Sequence, residues 1–360
     1  MRRVRPFEHT GAAEITVVVP CYNYGRYLPE VVQSVLSQER VHARVIIVDD
    51  ASPDGSADVA EALAAADARI TVVRHTQNQG HIATYNDGLA RVETEYVALL
   101  SADDLLASGA LGRAADLMRA YPRVGLVYGM PLEFSEEQGL PHTKDSGRRG
   151  SWTIWNGREW LGWACRRGRC FILSPEVVMR TEAMRQVGPY NEGLPHSGDL
   201  EYWVRTAAGW DVGRVNGPAQ AYYRVHGNNM HLTAFDTIQV DLEHRLAAFN
   251  VLSTAELQEQ LPGAGLLHRL ARQGICREAL LLAERNLDAG GAIDLSLSLL
   301  GVAQSACTEA ADTLRGRSVR YRIERARRGA RPGSVQTLIE GTRRQLDRVR
   351  WTAWRKVGIS

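Results

Sequence analysis

Two apolar runs in this chain lead into adjacent carboxylates. Val45-Ile46-Ile47-Val48 ends in Asp49-Asp50, and Tyr96-Val97-Ala98-Leu99-Leu100 runs through Ser101-Ala102 into Asp103-Asp104. A buried strand has no packing use for a double Asp at its exit. Two carboxylates held about a residue apart suit a hard divalent cation that carries substrate phosphates. A single Asp at such a place often only caps the following helix. Acid pairs on two strands point instead to a site at the carboxyl edge of an α/β sheet.

Other residues extend that chemistry. After the first apolar run comes Pro20-Cys21-Tyr22-Asn23, where an aromatic ring and an amide at a strand-to-helix turn can stack on a planar base and bond its edge. Asp50 can accept a hydrogen bond from an imide N–H. Asp54 and Ser56 are better suited to organising their turn and capping a helix. Asn78-Gln79-Gly80 follows the third run, and Gly80 permits close backbone approach to a ligand. Neither glycine-rich phosphate loop is present, so phosphate charge falls to a metal at Asp103 and Asp104.

The elements that must position these groups alternate. Strands are predicted over 15–19 (stopping at Pro20), 45–48, 70–73, 96–100 and 124–128. Helices are predicted over 28–36, from the turn at 52–56 through Ala66, and over 81–92 and 109–120. This alternation implies βαβ units and a mostly parallel sheet. Residues 131–150 are polar and read as a surface loop. Beyond Leu232 the strand signal ends; helices are predicted over 242–252, 264–274 and 277–288, with Gly274 at a helix–helix turn, and over 335–357.

Composition narrows the class. The 360 residues suffice for a sizeable core, and a formal charge of +2 gives no reason to expect nucleic acid as a partner. The five cysteines form no close metal-type pair, which favours a reduced, cytoplasmic setting. Residues 1–13 lack the apolar core of a signal peptide, and no apolar run reaches membrane-spanning length.

Pro20-Cys21-Tyr22-Asn23, Val48-Asp49-Asp50-Ala51-Ser52-Pro53-Asp54-Gly55-Ser56, Asn78-Gln79-Gly80 and Ser101-Ala102-Asp103-Asp104 arrive in an order and spacing that resemble the consecutive motifs of family 2 glycosyltransferases. The resemblance covers about residues 14–232. It implies a GT-A fold: a mixed, mostly parallel sheet flanked by helices, here with an appended C-terminal helical region. Its expected activity is an inverting, metal-assisted transfer of sugar from a nucleotide diphosphate sugar (UDP-, dTDP- or GDP-linked) to an acceptor hydroxyl. By this resemblance Pro20, Tyr22, Asn23, Asp50, Asn78, Gly80 and Asp103 hold the nucleotide sugar, and Asp104 binds Mn2+ or Mg2+. Asp199, in His196-Ser197-Gly198-Asp199-Leu200-Glu201, matches the general base, with Glu201 as the reserve candidate. His226, in Tyr222-Tyr223-Arg224-Val225-His226, is a further metal ligand or diphosphate contact, and Arg224 a phosphate neutraliser. Where many relatives carry Asp, this chain has Ser101.

The implied domains are a tail over 1–13, a nucleotide-sugar-binding half over 14–129, an acceptor-binding and catalytic half over 130–234 and a helical region over 235–360. Trp155 and Trp163, with Glu201, are the acceptor candidates, because aromatic faces stack on sugar rings; Trp152, Trp155, Trp160 and Trp163 also include helical spacings that suit a core helix. The acceptor class stays open between glycan, lipid-linked intermediate and secondary metabolite. Arg343, Arg344, Arg348, Arg350, Arg355 and Lys356 surround an apolar stripe near Trp351 and Trp354. Such a helix either docks on the protein or a second subunit, or lies peripherally on anionic lipid. Two alternatives differ in class: a nucleotidyltransferase, which needs a basic glycine-rich loop that 20–28 lacks, and a non-catalytic sugar-nucleotide binder.

Overall fold

The computed structural model describes residues 1–141, 150–227, 229 and 237–329. These fall into two compact units, one formed by Met1–Trp160 with Ile172–Asn229, the other by Leu161–Phe171 with the described residues after Asn229.

The first unit is the α/β one. In chain order it holds β1 (Arg2–Val4), β2 (Ala13–Cys21), α1 (Leu28–Leu36), β3 (Val41–Asp49), α2 (Ser56–Ala66), β4 (Ile70–Arg74), α3 (His81–Ala90), β5 (Tyr96–Leu99), β6 (Leu105–Leu106), α4 (Ala110–Ala120), β7 (Val124–Phe134) and β8 (Ser151–Trp155). After α5 (Gly157–Arg167), which crosses between the units, come β9 (Val178–Arg180), α6 (Thr181–Val187), α7 (Gly198–Gly209) and β10 (Asp211–Arg224).

The strands form one sheet in the order β1-β8-β10-β7-β9-β5-β2-β3-β4, with β6 paired to β10. The pairs β2–β3, β2–β5, β3–β4 and β7–β10 are parallel. Antiparallel β9 joins the two parallel blocks through β5 and β7. Val17, Val18 and Val19 of β2 are all fully buried, so this strand is covered on both faces, as a central parallel strand should be. Burying each valine contributes about 1.5–3 kcal/mol.

Several expectations are corrected here. Residues 1–13 are not a free tail, because Arg2–Val4 pairs with Trp152–Ile154 at the sheet edge. The first central strand does not stop at Pro20 but continues to Cys21, with Pro20 opposite Val48. The reason is parity. The Val18 carbonyl faces β5, accepting from the Leu100 N–H at 2.9 Å, and Pro20 faces the same side. There β5 has already ended at Leu99, so no ladder bond needs the missing Pro20 N–H. Strand β7 runs six residues past the predicted Tyr128, into the stretch read as a surface loop. The rest of that loop, residues 142–149, lies outside the described residues.

The second unit is helical. It contains α8 (Ile238–Phe249), α9 (Ala255–Gln260), α10 (Ala264–Asp288), α11 (Ile293–Ala306) and α12 (Leu314–Arg327). Thr237, Thr254 and Thr313 cap α8, α9 and α12 by accepting backbone N–H bonds. Gly274 does not end a helix, as its residue type suggested; α10 passes straight through it. A Cβ at Gly274 would come within 2.8 Å of the Gly168 nitrogen, and one at Gly168 within 2.7 Å of the Ile275 nitrogen. The glycine is there for backbone-to-backbone approach rather than for a turn. Among the described residues no helix is long and apolar enough to cross a membrane. The basic helix expected over 335–357 lies outside the described residues.

Candidate active site

The loops after β2, β3 and β4 are tied to one another. Ser52 Oγ accepts from the Asn23 N–H at 3.0 Å, and Ser56 Oγ accepts from the Gly25 N–H at 2.7 Å. Asp54 Oδ1 accepts from the Ser56 N–H at 3.0 Å, so Asp54 organises its turn as expected. Pro20 is half-buried, while Tyr22 is 45% exposed and presents its ring at this edge, beside exposed Asn23, which has a left-handed φ of 61°.

Asp50 is almost fully buried. Its Oδ1 accepts from the Gln79 N–H at 2.8 Å and lies 2.7 Å from His75 Nδ1, while Oδ2 accepts from the Gly80 N–H at 2.9 Å. Asn78 Oδ1 also accepts from the Gly80 N–H, at 3.1 Å. Asp50 thus holds the 75–80 loop against β3, and this engagement occupies most of the acceptor capacity that the sequence reading reserved for a base. Burial pushes the Asp50 carboxyl up, but the bonds from Gln79, His75 and Gly80 outweigh it, and the net shift is downward. His75 shows the matching pattern: burial lowers its pKa, the bonds to Asp50 and Asp87 raise it, and the rise prevails. Gly80 is required by conformation, since φ is +87° and nothing lies within 4 Å of a Cβ built there.

The second acid pair is built differently. Asp104 is 2% exposed and Asp103 7%. Asp104 Oδ1 accepts from the Arg224 backbone N–H at 2.9 Å, and the Asp103 carbonyl accepts from Arg224 Nε at 2.7 Å. The Arg224 guanidinium also donates to Glu30 at 2.6 Å and packs between the Tyr27 and Phe134 rings, 4.5 Å from each centroid. It is buried and committed to these bonds, so it is a tie between β10 and the acid loop, not the phosphate neutraliser expected. His226 Nε2 lies 3.0 Å from Asp103 Oδ2, with the Tyr24 ring at 5.7 Å and the Tyr27 ring at 6.0 Å.

Burial, then the charge of Asp103, drives the Asp104 carboxyl well above the usual carboxylate range; the Arg224 N–H offsets only part of this. Among the described residues no group of three or more His, Cys, Asp or Glu is arranged to hold a metal alone. An under-compensated acid pair with an imidazole on one member nevertheless fits the way magnesium-like ions are held, through one or two carboxylates completed by substrate phosphates.

Asp199 lies in the first turn of α7 and is partly exposed. It does not cap its helix. Its Oδ2 accepts from the Ser174 hydroxyl, and its carboxylate also accepts a bond from the Tyr190 side chain. Burial raises its pKa, and the bonds from Ser174 and Tyr190 and the charge of His81 only partly counter that. A cavity of about 50 Å³ is lined by Asp199, Ser101, Ser174, Tyr85 and Tyr190 among others. The Tyr85 phenol is pushed up by burial and then by the charges of Asp199, Asp103 and Asp104, so one ring is within electrostatic reach of all three carboxylates.

Of the three acceptor candidates, only Trp163 keeps an exposed side chain. Trp155 is fully buried on β8 with its ring 6.1 Å from that of Tyr128, which removes it from any ligand surface. Trp163 is 37% exposed on α5, with Arg166 6.0 Å from its ring. The helical spacing of the four tryptophans is broken between Trp155 and Gly157, where Asn156 Oδ1 accepts from the Arg158 N–H and α5 begins. Glu201 is 4% exposed and holds Arg205 through both oxygens, at 2.7 and 2.8 Å, so it is a structural ion pair. The sequence reading missed Ser174, Tyr190, Tyr85 and Glu176. No spacing signal marks them, because none lies within the Asp199 motif: Tyr190 comes from the turn before α7, Ser174 and Glu176 from before β9, and Tyr85 from α3.

A mixed sheet flanked by helices, with acids at the carboxyl ends of β3 and β5 and a further carboxylate on α7, is the arrangement of a GT-A-type fold. Residues 16–183 match the family described as Glycosyl transferase family 2. An uncharacterized glycosyltransferase of Nostoc sp. is 28% identical over 61% of this chain and 67% of its own length. GlyG of Streptococcus pneumoniae, a glycosyltransferase, is 38% identical over 26% of this chain, and the match spans only 31% of GlyG. Among solved structures, residues 1–349 of S. aureus TarS in complex with UDP superpose with a TM-score of 0.60 at 16% identity, covering 88% of this chain and 92% of that one. At that identity the likeness shows the fold. The family 2 match thus falls within the α/β unit, and these likenesses together support a GT-A glycosyltransferase of that family.

Proposed function

We propose that this glycosyltransferase moves a sugar from a nucleotide diphosphate sugar to an acceptor hydroxyl in one displacement that inverts the anomeric centre, with Asp199 as general base. The observation that carries the reading is Asp199 itself. It is a partly exposed carboxylate of raised proton affinity, tied to two hydroxyls and set within electrostatic reach of the same phenol as the Asp103-Asp104 pair. A base that must take a proton near neutral pH benefits from an upward shift.

Asp199 accepts the proton of the acceptor hydroxyl as that oxygen attacks the anomeric carbon. The bond from that carbon to the diphosphate breaks on the opposite side, and the nucleoside diphosphate leaves with the electron pair. Asp104, with Asp103 and the His226 imidazole, would hold Mn2+ or Mg2+, which would supply neutralisation of the diphosphate charge. Exposed Tyr22 stacks on the base, and Pro20, Asn23, Asn78 and Gly80 shape the loops around it. Asp50 acts chiefly by fixing the 75–80 loop. TarS, one structural neighbour, was solved with UDP and with UDP-GlcNAc, which supports testing uridine donors first. The acceptor is a hydroxyl compound.

The test is release of nucleoside diphosphate from UDP-GlcNAc, UDP-glucose, dTDP-glucose and GDP-mannose with Mn2+. Asp199→Asn keeps the shape but cannot take the proton. Turnover on the preferred donor should fall by about a hundredfold or more while donor affinity changes little. Near-normal turnover by Asp199→Asn would remove the base assignment.

A further inference from the structure

One loop beside Asp199 carries a backbone feature that folding alone does not call for. Ser174 has φ of +84°, in the left-handed region, and the next residue is Pro175. Both facts count against this conformation. A serine rarely occupies positive φ, and a residue before proline is pushed towards extended backbone. Among the described residues only Asn23, Arg40 and Ala51 are other non-glycine residues at positive φ.

The surroundings hold Ser174 there. The Val177 N–H donates to the Ser174 carbonyl at 3.0 Å, closing a turn with Pro175 at its second position. The Leu173 N–H donates to Glu176 Oε1 at 3.2 Å, so the Glu176 side chain folds back over the same turn. Glu176 is 2% exposed, and its other oxygen has no partner. A buried carboxyl used in this way is a costly turn clamp. What the clamp achieves is visible at the Ser174 side chain, whose hydroxyl donates to Asp199 Oδ2. Tyr190 supplies the second bond to that carboxylate, and its ring is fixed by stacking on Tyr202 at 4.0 Å between centroids and 7° between planes. Strain of this kind persists where the surrounding structure over-determines it, and it concentrates at functional sites.

We propose that Ser174, held in its left-handed conformation by the Pro175-Glu176 turn, is the positioning residue of Asp199, aiming one carboxylate oxygen by its hydroxyl while Tyr190 braces the group. Ser174 does not touch the reacting atoms; it acts through Asp199. The inference rests on the reading of Asp199 as the base.

Ser174→Gly separates function from folding, because glycine accepts the positive φ while the hydroxymethyl side chain, and with it the donor to Asp199, is removed. A residue kept for the turn alone would lose nothing by that change. The direct readout is the pH titration of the Asp199 carboxyl by carbon NMR on protein labelled with 13Cγ-aspartate, the signal being assigned by its loss in Asp199→Asn. In Ser174→Gly the midpoint should move to higher pH, since a donor to the charged form is gone. The melting temperature should stay level or rise. Tyr190→Phe, which keeps the stacked ring, should shift the midpoint in the same direction. An unmoved Asp199 midpoint in a folded Ser174→Gly protein overturns the proposal. Hydrolysis of UDP-GlcNAc by Asp199→Asn tests the base reading separately. An active Asp199→Asn enzyme sinks that reading, whereas an inactive one with an unmoved Ser174→Gly titration sinks only the positioning role.

Discussion

The loops after β3 and β5 carry the same sequence device, an acid pair following an apolar strand, and the structure uses them in opposite ways. Asp50 and Asp104 are nearly equally closed to solvent, at 3% and 2% exposed. Asp50 receives two backbone N–H bonds and lies against His75, and its carboxyl is lowered. Asp104 receives one backbone N–H bond, sits beside Asp103, and is raised. Equal exposure with unequal donor count shows that burial alone does not decide what a buried acid does. In the first pair Asp50 is electrostatically complete and holds a loop, while Asp49 accepts from the Ser52 N–H at 3.2 Å and keeps its other oxygen buried without a partner. The second is incomplete, and an incomplete buried acid is suited to a cation that arrives with the substrate.

Exchanging each acid for its amide is the largest break that can be put on this contrast. Asp104→Asn should lose about a hundredfold or more in Mn2+-stimulated turnover with unchanged or higher thermal stability, because a poorly compensated buried charge is removed. Asp50→Asn should do the reverse, losing about 2–4 kcal/mol of unfolding free energy as bonds to a charged acceptor are weakened. Denaturant titration and turnover on both variants decide it. If Asp50→Asn is stable and Asp104→Asn unfolds, the two roles have been exchanged.

A smaller effect sharpens the cation half of the comparison. An acid pair with no three-ligand group around it among the described residues should bind Mn2+ weakly alone and well with UDP. The melting temperature should therefore rise with Mn2+ and UDP together by more than the sum of the separate shifts, and that excess should vanish in Asp104→Asn. An equal rise with Mn2+ alone would mean a complete protein site elsewhere.

The smallest effect is pH dependence at the Asp50 end. Because the folded pKa of Asp50 is lowered, its contribution is present above the ordinary value of about 3.9 and is lost as pH falls through the folded value. His75 is raised, so its contribution is full below about 6.5 and fades as pH rises through the folded value. Wild-type stability in urea should decline at both ends of this window. His75→Gln should flatten the alkaline decline and leave the acid limb in place; an unchanged alkaline limb would show that His75 is not linked to folding.

How far the sequence could be read depended on whether an element's signal was local. Strands β2, β3 and β5 were legible because a strand covered on both faces shows as an unbroken apolar run. Helix α1 was legible from its apolar spacing and from Pro29 in its first turn. Trp152 and Trp155 were harder: their spacing from Trp160 and Trp163 suits a helix, yet pairing of β8 with β1 and β10 places the first two on a strand. Gly274 misled for a related reason. Glycine marks both a broken helix and a close approach, and only the packed neighbour tells which.

The order of residue types along the chain was enough to establish an alternating α/β domain with carboxylates where its strands end, followed by helices. Hydrophobic periodicity and turn chemistry are properties of neighbours in sequence, so they can be read without a fold. The state of each carboxylate was decided only in three dimensions. Arg224 meets the Asp103-Asp104 loop from 120 residues away, and Ser174 meets Asp199 from 25. The pKa of a buried acid is the sum of desolvation and a few short bonds, and those bonds join residues whose separation leaves no periodic trace in the sequence.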